Sequence, residues 1–172
     1  MTKFVPVAVT SVAGLFSLPV MAADLNVKVE VPRLNVAEYH KPYVAVWLEK
    51  SDQSFAGNLA VWYDLKKRDN EGAKWLKDLR QWWRRAGREL NTPADGITSA
   101  TRNAGEHSLV FSGEKSVLSK LPAGEYQVVV EAAREGGGRE VVKVPFQWLA
   151  KSEQNAKASG SHELGTVSVS VK

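Results

Sequence analysis

The chain has 172 residues, of which 44% are hydrophobic and 24% are charged, and this composition is typical of a globular protein. The formal net charge of +4, with no recognisable nucleic-acid-binding motif, argues against a nucleic-acid partner. Because the sequence contains no cysteine, disulfides, iron–sulfur clusters, c-type haem attachment, thiol catalysis and cysteine zinc sites are excluded.

The N-terminus has the pattern of a secretory signal peptide over Met1–Ala22. Lys3 provides a positive start, the stretch that follows carries no charge, and Val20-Met21-Ala22 places small residues where a signal peptidase cleaves. A membrane anchor is the weaker interpretation, since the stretch is short for a span and contains Pro19. We therefore expect a periplasmic protein that is not integral to the membrane, with residues 23–172 forming a single domain.

The rest of the chain is dominated by short segments with β-strand patterns. They are Leu25–Val31, Tyr43–Leu48, Leu59–Tyr63, His107–Phe111, Glu125–Ala132, Val141–Leu149 and Thr166–Val171. The first alternates apolar and polar residues, whereas the second is continuously apolar, as in a strand buried on both faces. Gly136–Gly138 indicates a hairpin loop. This pattern predicts a mostly β fold, an immunoglobulin-like β-sandwich.

One helix and one flexible loop complete the expected elements. Residues 73–86 carry apolar side chains at helical spacing, with lysine and arginine at most of the other positions, and Gly87 can end the helix. We expect this helix to pack across an edge or end of the sandwich. Ser152–Ser161 is small and polar, which predicts a flexible surface loop before the last strand.

The segment Asn91–Gly105 is long for a loop, and long structured loops often carry function. It contains Asp95-Gly96-Ile97-Thr98-Ser99-Ala100-Thr101, which resembles the flavinylation motif of exported flavoproteins. In that motif the last threonine receives FMN through a phosphoester bond, and a separate FAD:protein FMN transferase installs it. The resemblance implies that Thr101 is the attachment site and that Asp95, Thr98 and Ala100 are recognised by the transferase.

The motif also has a purely structural interpretation, which the residues leave open. Asp95-Gly96 is a turn dipeptide, and the hydroxyls of Thr98, Ser99 and Thr101 can equally satisfy backbone groups in a loop. Ser99 departs from the motif, which usually has glycine there, and serine does not share the freedom of glycine to adopt positive φ.

A second resemblance covers most of the chain after the leader. The segments that carry it are residues 41–49, 59–63, 74–84, 98–102, 126–135 and 163–165. Together they look like a family of predicted periplasmic proteins of unknown function, whose members tend to be encoded near PepSY-type membrane proteins and FAD:protein FMN transferases. This resemblance implies an extracytosolic electron-transfer system in which these two proteins are the partners and covalent FMN is the cofactor.

Other side chains extend the candidate flavin site. Arg102 directly follows the motif, and it could receive a flavin phosphate, as could four arginines of the predicted helix region, Arg80, Arg84, Arg85 and Arg88. A solvated basic face is the other interpretation of these charges. Trp62, Trp75, Trp82 and Trp83 could stack on the flavin ring, but core packing is the simpler role for most of them. The three histidines lie in distant segments without metal-ligand spacing, so no metal is expected.

Two functions therefore remain open. The first is a periplasmic electron-transfer carrier with FMN covalently attached at Thr101, in which the protein positions the flavin and the flavin supplies the chemistry. The second is a non-catalytic adaptor, in which the basic, tryptophan-rich helix docks a membrane or periplasmic partner.

Overall fold

The structure is a computed structural model and describes residues 23–172. Nine strands form two sheets, which confirms the predicted β-sandwich architecture. The strands are β1 (Asp24–Val31), β2 (Tyr43–Lys50), β3 (Phe55–Tyr63), β4 (Thr98–Ala100), β5 (Gly105–Ser112), β6 (Gly124–Ala133), β7 (Arg139–Trp148), β8 (Gln154–Ser159) and β9 (Thr166–Val171). The signal peptide predicted for Met1–Ala22 lies outside the described residues.

The first sheet has the order β5-β1-β9-β8 and the second the order β4-β3-β2-β6-β7. All neighbouring strands are antiparallel except β3 and β4, which run parallel. The main core lies between the sheets, where the buried side chains of β1, such as Val27, pack with those of β2 and β6, such as Val46 and Val130. The alternation of β1 in the sequence therefore reflects one buried face and one exposed face.

The middle of the second sheet is buried on both faces, which explains the continuously apolar sequence of β2. Its outer face is covered by the helical region between β3 and β4. There a second core forms from Ala45, Trp47, Val61, Tyr63, Leu76, Leu79, Trp82, Val129 and Ala133.

The helix predicted for residues 73–86 is not continuous, and this expectation was wrong. Residues Arg68–Asp78 form 3₁₀ turns that are interrupted by the left-handed residues Asp69 and Asn70 (φ 51° and 54°), and this stretch is called the 3₁₀ segment. The chain breaks again at Leu79 (φ −74°, ψ 70°), and only Arg80–Arg85 form an α-helix, α1. The break has a physical cause in the sheet. The buried carboxylate of Glu131 on β6 accepts two of the free N–H groups in the first turn of α1, from Gln81 at 3.0 Å and Trp82 at 2.7 Å. These amides therefore bond to the sheet and not to carbonyls of the preceding turn.

Two strands lie where the sequence predicts loops. Residues 152–161 were expected to be flexible, but Gln154–Ser159 form the edge strand β8 paired with β9. Ala156 and Ala158 pack against the main core, so the alternation is present with alanine as the apolar residue. The short strand β4 lies within the predicted loop 91–105 and pairs with the end of β3.

Two turns agree with the sequence pattern. The loop over Gly136–Gly138 joins β6 and β7 as a hairpin, with Gly136 at φ +66°. Before β6, the Tyr126 hydroxyl donates to the carbonyl of Pro122 at 2.9 Å, a corner that immunoglobulin-like sandwiches use before a late strand. Within residues 23–172 no helix combines the length and the hydropathy that crossing a bilayer requires.

Candidate functional site

The flavinylation-like motif begins in a tight turn and continues into the edge strand β4. The Thr98 hydroxyl accepts the N–H of Ala94 at 2.9 Å and donates to the carbonyl of the same residue at 3.0 Å. Gly96, at φ +71°, gives the turn a conformation that glycine adopts without strain. The structural role considered for Thr98 is therefore present in the fold.

The remaining motif residues lie along the surface of the second sheet. Asp95 and Ala100 are exposed, whereas Ser99 is half-buried in β4, beside Trp62 of β3. Ser99 is extended, so the chain does not need glycine at this position in the folded state. Thr101 is half-buried, and its N–H donates to the Tyr63 carbonyl at 3.2 Å.

Thr101 lines a cleft of about 920 Å³, here called the basic cleft. Five parts of the chain build it: the approach to β2, the segment after β3, the break between the 3₁₀ segment and α1, the end of β4, and the β6–β7 hairpin. Pockets that bind cofactor-sized ligands have volumes of roughly 300–1,000 Å³. The cleft is therefore large enough for a nucleotide cofactor, and Ala100 and Thr101 are the motif residues that reach it.

Six cations and three carboxylates line the cleft. The cations are Lys41, Lys66, Lys67, Arg80, Arg134 and Arg139, and the carboxylates are Asp64, Asp78 and Glu135. Two of the cations are paired with buried carboxylates. Arg134 makes two bonds to buried Glu163, at 2.8 and 3.0 Å, which raise the pKa of Arg134. Arg139 bonds to Glu131 at 2.9 Å.

The other four cations are exposed, and in the part of the chain that the structure describes none of them takes part in an ion pair. They are Lys41, Lys66, Lys67 and Arg80. The cleft therefore combines supporting arginines, held by buried carboxylates, with cations that remain available to an anionic ligand.

Two tyrosines fix the 3₁₀ segment that forms one wall of the cleft. The Tyr43 hydroxyl donates to the Gly72 carbonyl at 3.1 Å, and the Tyr63 hydroxyl donates to the side-chain oxygen of Asn70 at 3.1 Å. Burial raises the pKa of both tyrosines, so both are neutral donors at neutral pH. Gly72 is required here, because an added Cβ would collide with the backbone carbonyl of Asp64.

The four tryptophans proposed for ring stacking have different environments. Trp62 and Trp82 are fully buried and fill the two cores, which confirms core packing for them, and Trp83 is half-buried. Trp75 is 51% exposed and lines the basic cleft, with the Nζ of Lys77 at 5.7 Å from its ring centroid. The helical stripe could not show this, because it places Trp75 on the same buried face as Trp82.

The arginines proposed as phosphate ligands also lie in different environments. Arg80 lines the cleft, but the Arg102 guanidinium lies 4.3 Å from the centroid of the Trp62 ring, and burial lowers the pKa of Arg102. Arg85 is tied to the buried Glu49 at 3.0 Å, and Lys143 bonds to the same carboxylate at 2.8 Å. The sequence pattern does not mark Lys66 and Lys67, which lie three and four residues after the end of β3 and reach the cleft.

Comparison with known protein families assigns the chain. Residues 24–166 match the family described as predicted periplasmic protein (DUF2271). The chain belongs to this family. By its description the family is periplasmic, which confirms the expected location, and the match confirms the resemblance to a periplasmic family found in the sequence. No curated protein and no solved structure is similar enough to count as a match.

Proposed function

We propose that the protein is a periplasmic electron-transfer carrier in which FMN is attached to Thr101 through a phosphoester bond. The observation that supports this most directly is the position of Thr101. It follows an edge strand, remains half-exposed and lines a large cleft that also contains unpaired cations and an exposed indole.

The residues of the cleft fit the chemistry of the proposed cofactor. A phosphodiester between FMN and threonine retains one negative charge, and cations without partners, such as Lys66 and Arg80, can balance it. The exposed ring of Trp75 offers an aromatic surface for a planar heterocycle. Once attached, the flavin would supply electron transfer, while the protein supplies its position and electrostatic environment.

Attachment requires a separate enzyme, because a threonine hydroxyl is a weak nucleophile. In the proposed step the Thr101 oxygen attacks the FMN phosphorus of FAD, the bond between the two phosphates breaks, and AMP leaves. The hydroxyl proton passes to a base of the FAD:protein FMN transferase. Strand β4 pairs with β3 over only three residues at the edge of its sheet, so few bonds must open to expose Thr101.

The electron donor or acceptor proposed for the carrier is a PepSY-type membrane protein. A carrier whose cofactor lies at the surface can exchange electrons by transient contact, and weak redox complexes typically bury small interfaces. The cleft opens beside the exposed side chains of Lys66, Lys67 and Trp75, which gives such a partner a charged and partly apolar contact surface.

The test is co-expression with an FMN transferase, followed by intact-mass measurement. We expect the protein to gain the mass of one FMN less one water, and Thr101→Ala to abolish the gain. Thr92→Ala, a threonine outside the motif, is the matched control and should be modified as fully as the wild type. Unmodified wild-type protein beside an active transferase would reject the proposal.

An adaptor without cofactor is the second candidate, and the same exposed Trp75 and free cations favour it. Arg85 bonds to buried Glu49 and is therefore structural, so the exposed lysines of the cleft are the residues to test. An adaptor role predicts that a partner from a periplasmic extract binds the wild type, and that charge reversal at Lys66 and Lys67 abolishes binding. It also predicts purified native protein that has no flavin absorbance.

A further inference from the structure

We infer that the basic cleft is a reversible binding site for FMN, in which Trp75 stacks on the flavin ring and unpaired cations hold the phosphate. This inference takes the identity of the ligand from the proposed function but does not need the covalent bond. The ligand that the cleft residues bind would combine a planar aromatic ring with an anionic group.

The first observation is the exposure of Trp75. A tryptophan that is 51% exposed leaves a large apolar surface in water, while Trp47, Trp62, Trp82 and Trp148 are buried almost completely. Of these indoles only Trp75 lines the cleft. Aromatic side chains at such positions bind planar heterocycles by stacking, and tryptophan offers the largest ring.

The second observation is the arrangement of charge around that ring. Lys66, Lys67 and Arg80 are exposed, lie in the same cleft and have no ion-pair partner among residues 23–172. The carboxylates of Asp64 and Asp78 lie among them, so the excess of positive charge is modest. A ligand with one phosphate suits this balance better than a highly charged polyanion.

The third observation is that the cleft is pre-formed. The Tyr43 and Tyr63 hydroxyls tie down the 3₁₀ segment that carries Trp75, and Glu131 holds the start of α1, which carries Arg80. The Glu131 carboxylate also accepts a hydrogen bond from Arg139. Because all these contacts lie within the protein, the ligand does not have to order the residues that carry Trp75 and Arg80.

The experiment uses the mature chain carrying Thr101→Ala, made without any transferase, so that no covalent bond can form. FMN and riboflavin are titrated separately, and tryptophan quenching and flavin fluorescence polarisation report binding. We expect FMN to bind more tightly than riboflavin. Raising the salt concentration should reduce this difference, because salt screens the phosphate contacts.

Trp75→Ala should weaken FMN binding by about fivefold or more, the range that loss of one aromatic stack gives. Phe55→Ala is the matched control, because Phe55 is an exposed aromatic residue outside the cleft. For the charges, Lys66→Gln with Lys67→Gln should remove most of the preference for FMN over riboflavin. Lys115→Gln with Lys120→Gln, two exposed lysines elsewhere, should leave it unchanged.

Two results would overturn the inference: no measurable FMN binding, or equal loss of affinity in Trp75→Ala and Phe55→Ala. Neither result depends on covalent attachment, which intact mass measures on protein with Thr101 intact. A protein that binds FMN in the cleft but is never modified would refute the proposed attachment alone. A protein modified at Thr101 that shows no dependence on Trp75 would refute the cleft assignment alone.

Discussion

Replacing Glu131 by glutamine tests how the helical region is held on the sheet. The Glu131 carboxylate is fully buried, and one of its oxygens accepts the Gln81 N–H at 3.0 Å and Arg139 at 2.9 Å. The other oxygen accepts the Trp82 N–H at 2.7 Å. Glutamine keeps a single acceptor oxygen, so its amide nitrogen must face at least one of these donors, and Arg139 loses its counter-charge.

The expected loss of stability follows from these contacts. A buried N–H left without an acceptor costs about 1–3 kcal/mol. Loss of a buried charge partner would add more, but the Arg139 side chain is 40% exposed and solvent screens part of that contribution. We therefore expect Glu131→Gln to lower the free energy of unfolding by about 3 kcal/mol. For a domain of this size, that lowers Tm by roughly 6–12 °C.

Urea unfolding of wild type and variant, followed by tryptophan fluorescence, measures this difference. Glu106→Gln is the matched control, because Glu106 pairs with Lys28 at the exposed surface, where such pairs contribute about 0–1 kcal/mol. If Glu131→Gln were no more destabilising than Glu106→Gln, the buried carboxylate would not be what holds α1 on the sheet.

Three further predictions concern stability. The Glu140 carboxylate accepts four backbone N–H groups of residues 161–164, and these outweigh burial and lower the pKa of Glu140 to about 2. The stability advantage of wild type over Glu140→Gln should thus be about 3 kcal/mol above pH ~4.5 and vanish as the pH falls toward 2; a pH-independent difference in urea unfolding would contradict this. Gly72→Ala should cost roughly 2 kcal/mol or more through its clash with Asp64, and an unchanged Tm would refute the close approach. Tyr126→Phe should cost about 1 kcal/mol through the lost corner hydrogen bond, and no change in urea midpoint would show that this bond does not contribute.

The sequence predicts most strands because period-two alternation and continuous apolar runs follow directly from burial on one or two faces. It misses β8 because the inward side chains are Ala156 and Ala158, which barely differ from a polar linker in hydropathy. It misplaces the helix because the break at Leu79 depends on Glu131, about fifty residues away in the chain. No local pattern contains that contact.

The sequence predicts only part of the candidate site, because the rest also depends on contacts between residues that are distant in the chain. The motif ending at Thr101 is contiguous and can be recognised. The cleft that it faces is assembled from five separate segments, and Trp75 lies within a stripe that predicts burial. Arg102, adjacent to the motif, lies over Trp62, while Lys66 from another segment reaches the cleft. The order of strands in the sheets determines which charged side chains lie near the motif.

Fragment-ion mass spectrometry of the tryptic peptide Glu89–Arg102, from protein isolated from its native host, tests the attachment of FMN most directly. Covalent attachment at Thr101 predicts that FMN less water is present on this peptide and that the fragment ions place it on Thr101. An unmodified peptide from cells that make an active FMN transferase, or FMN on another residue, would contradict it.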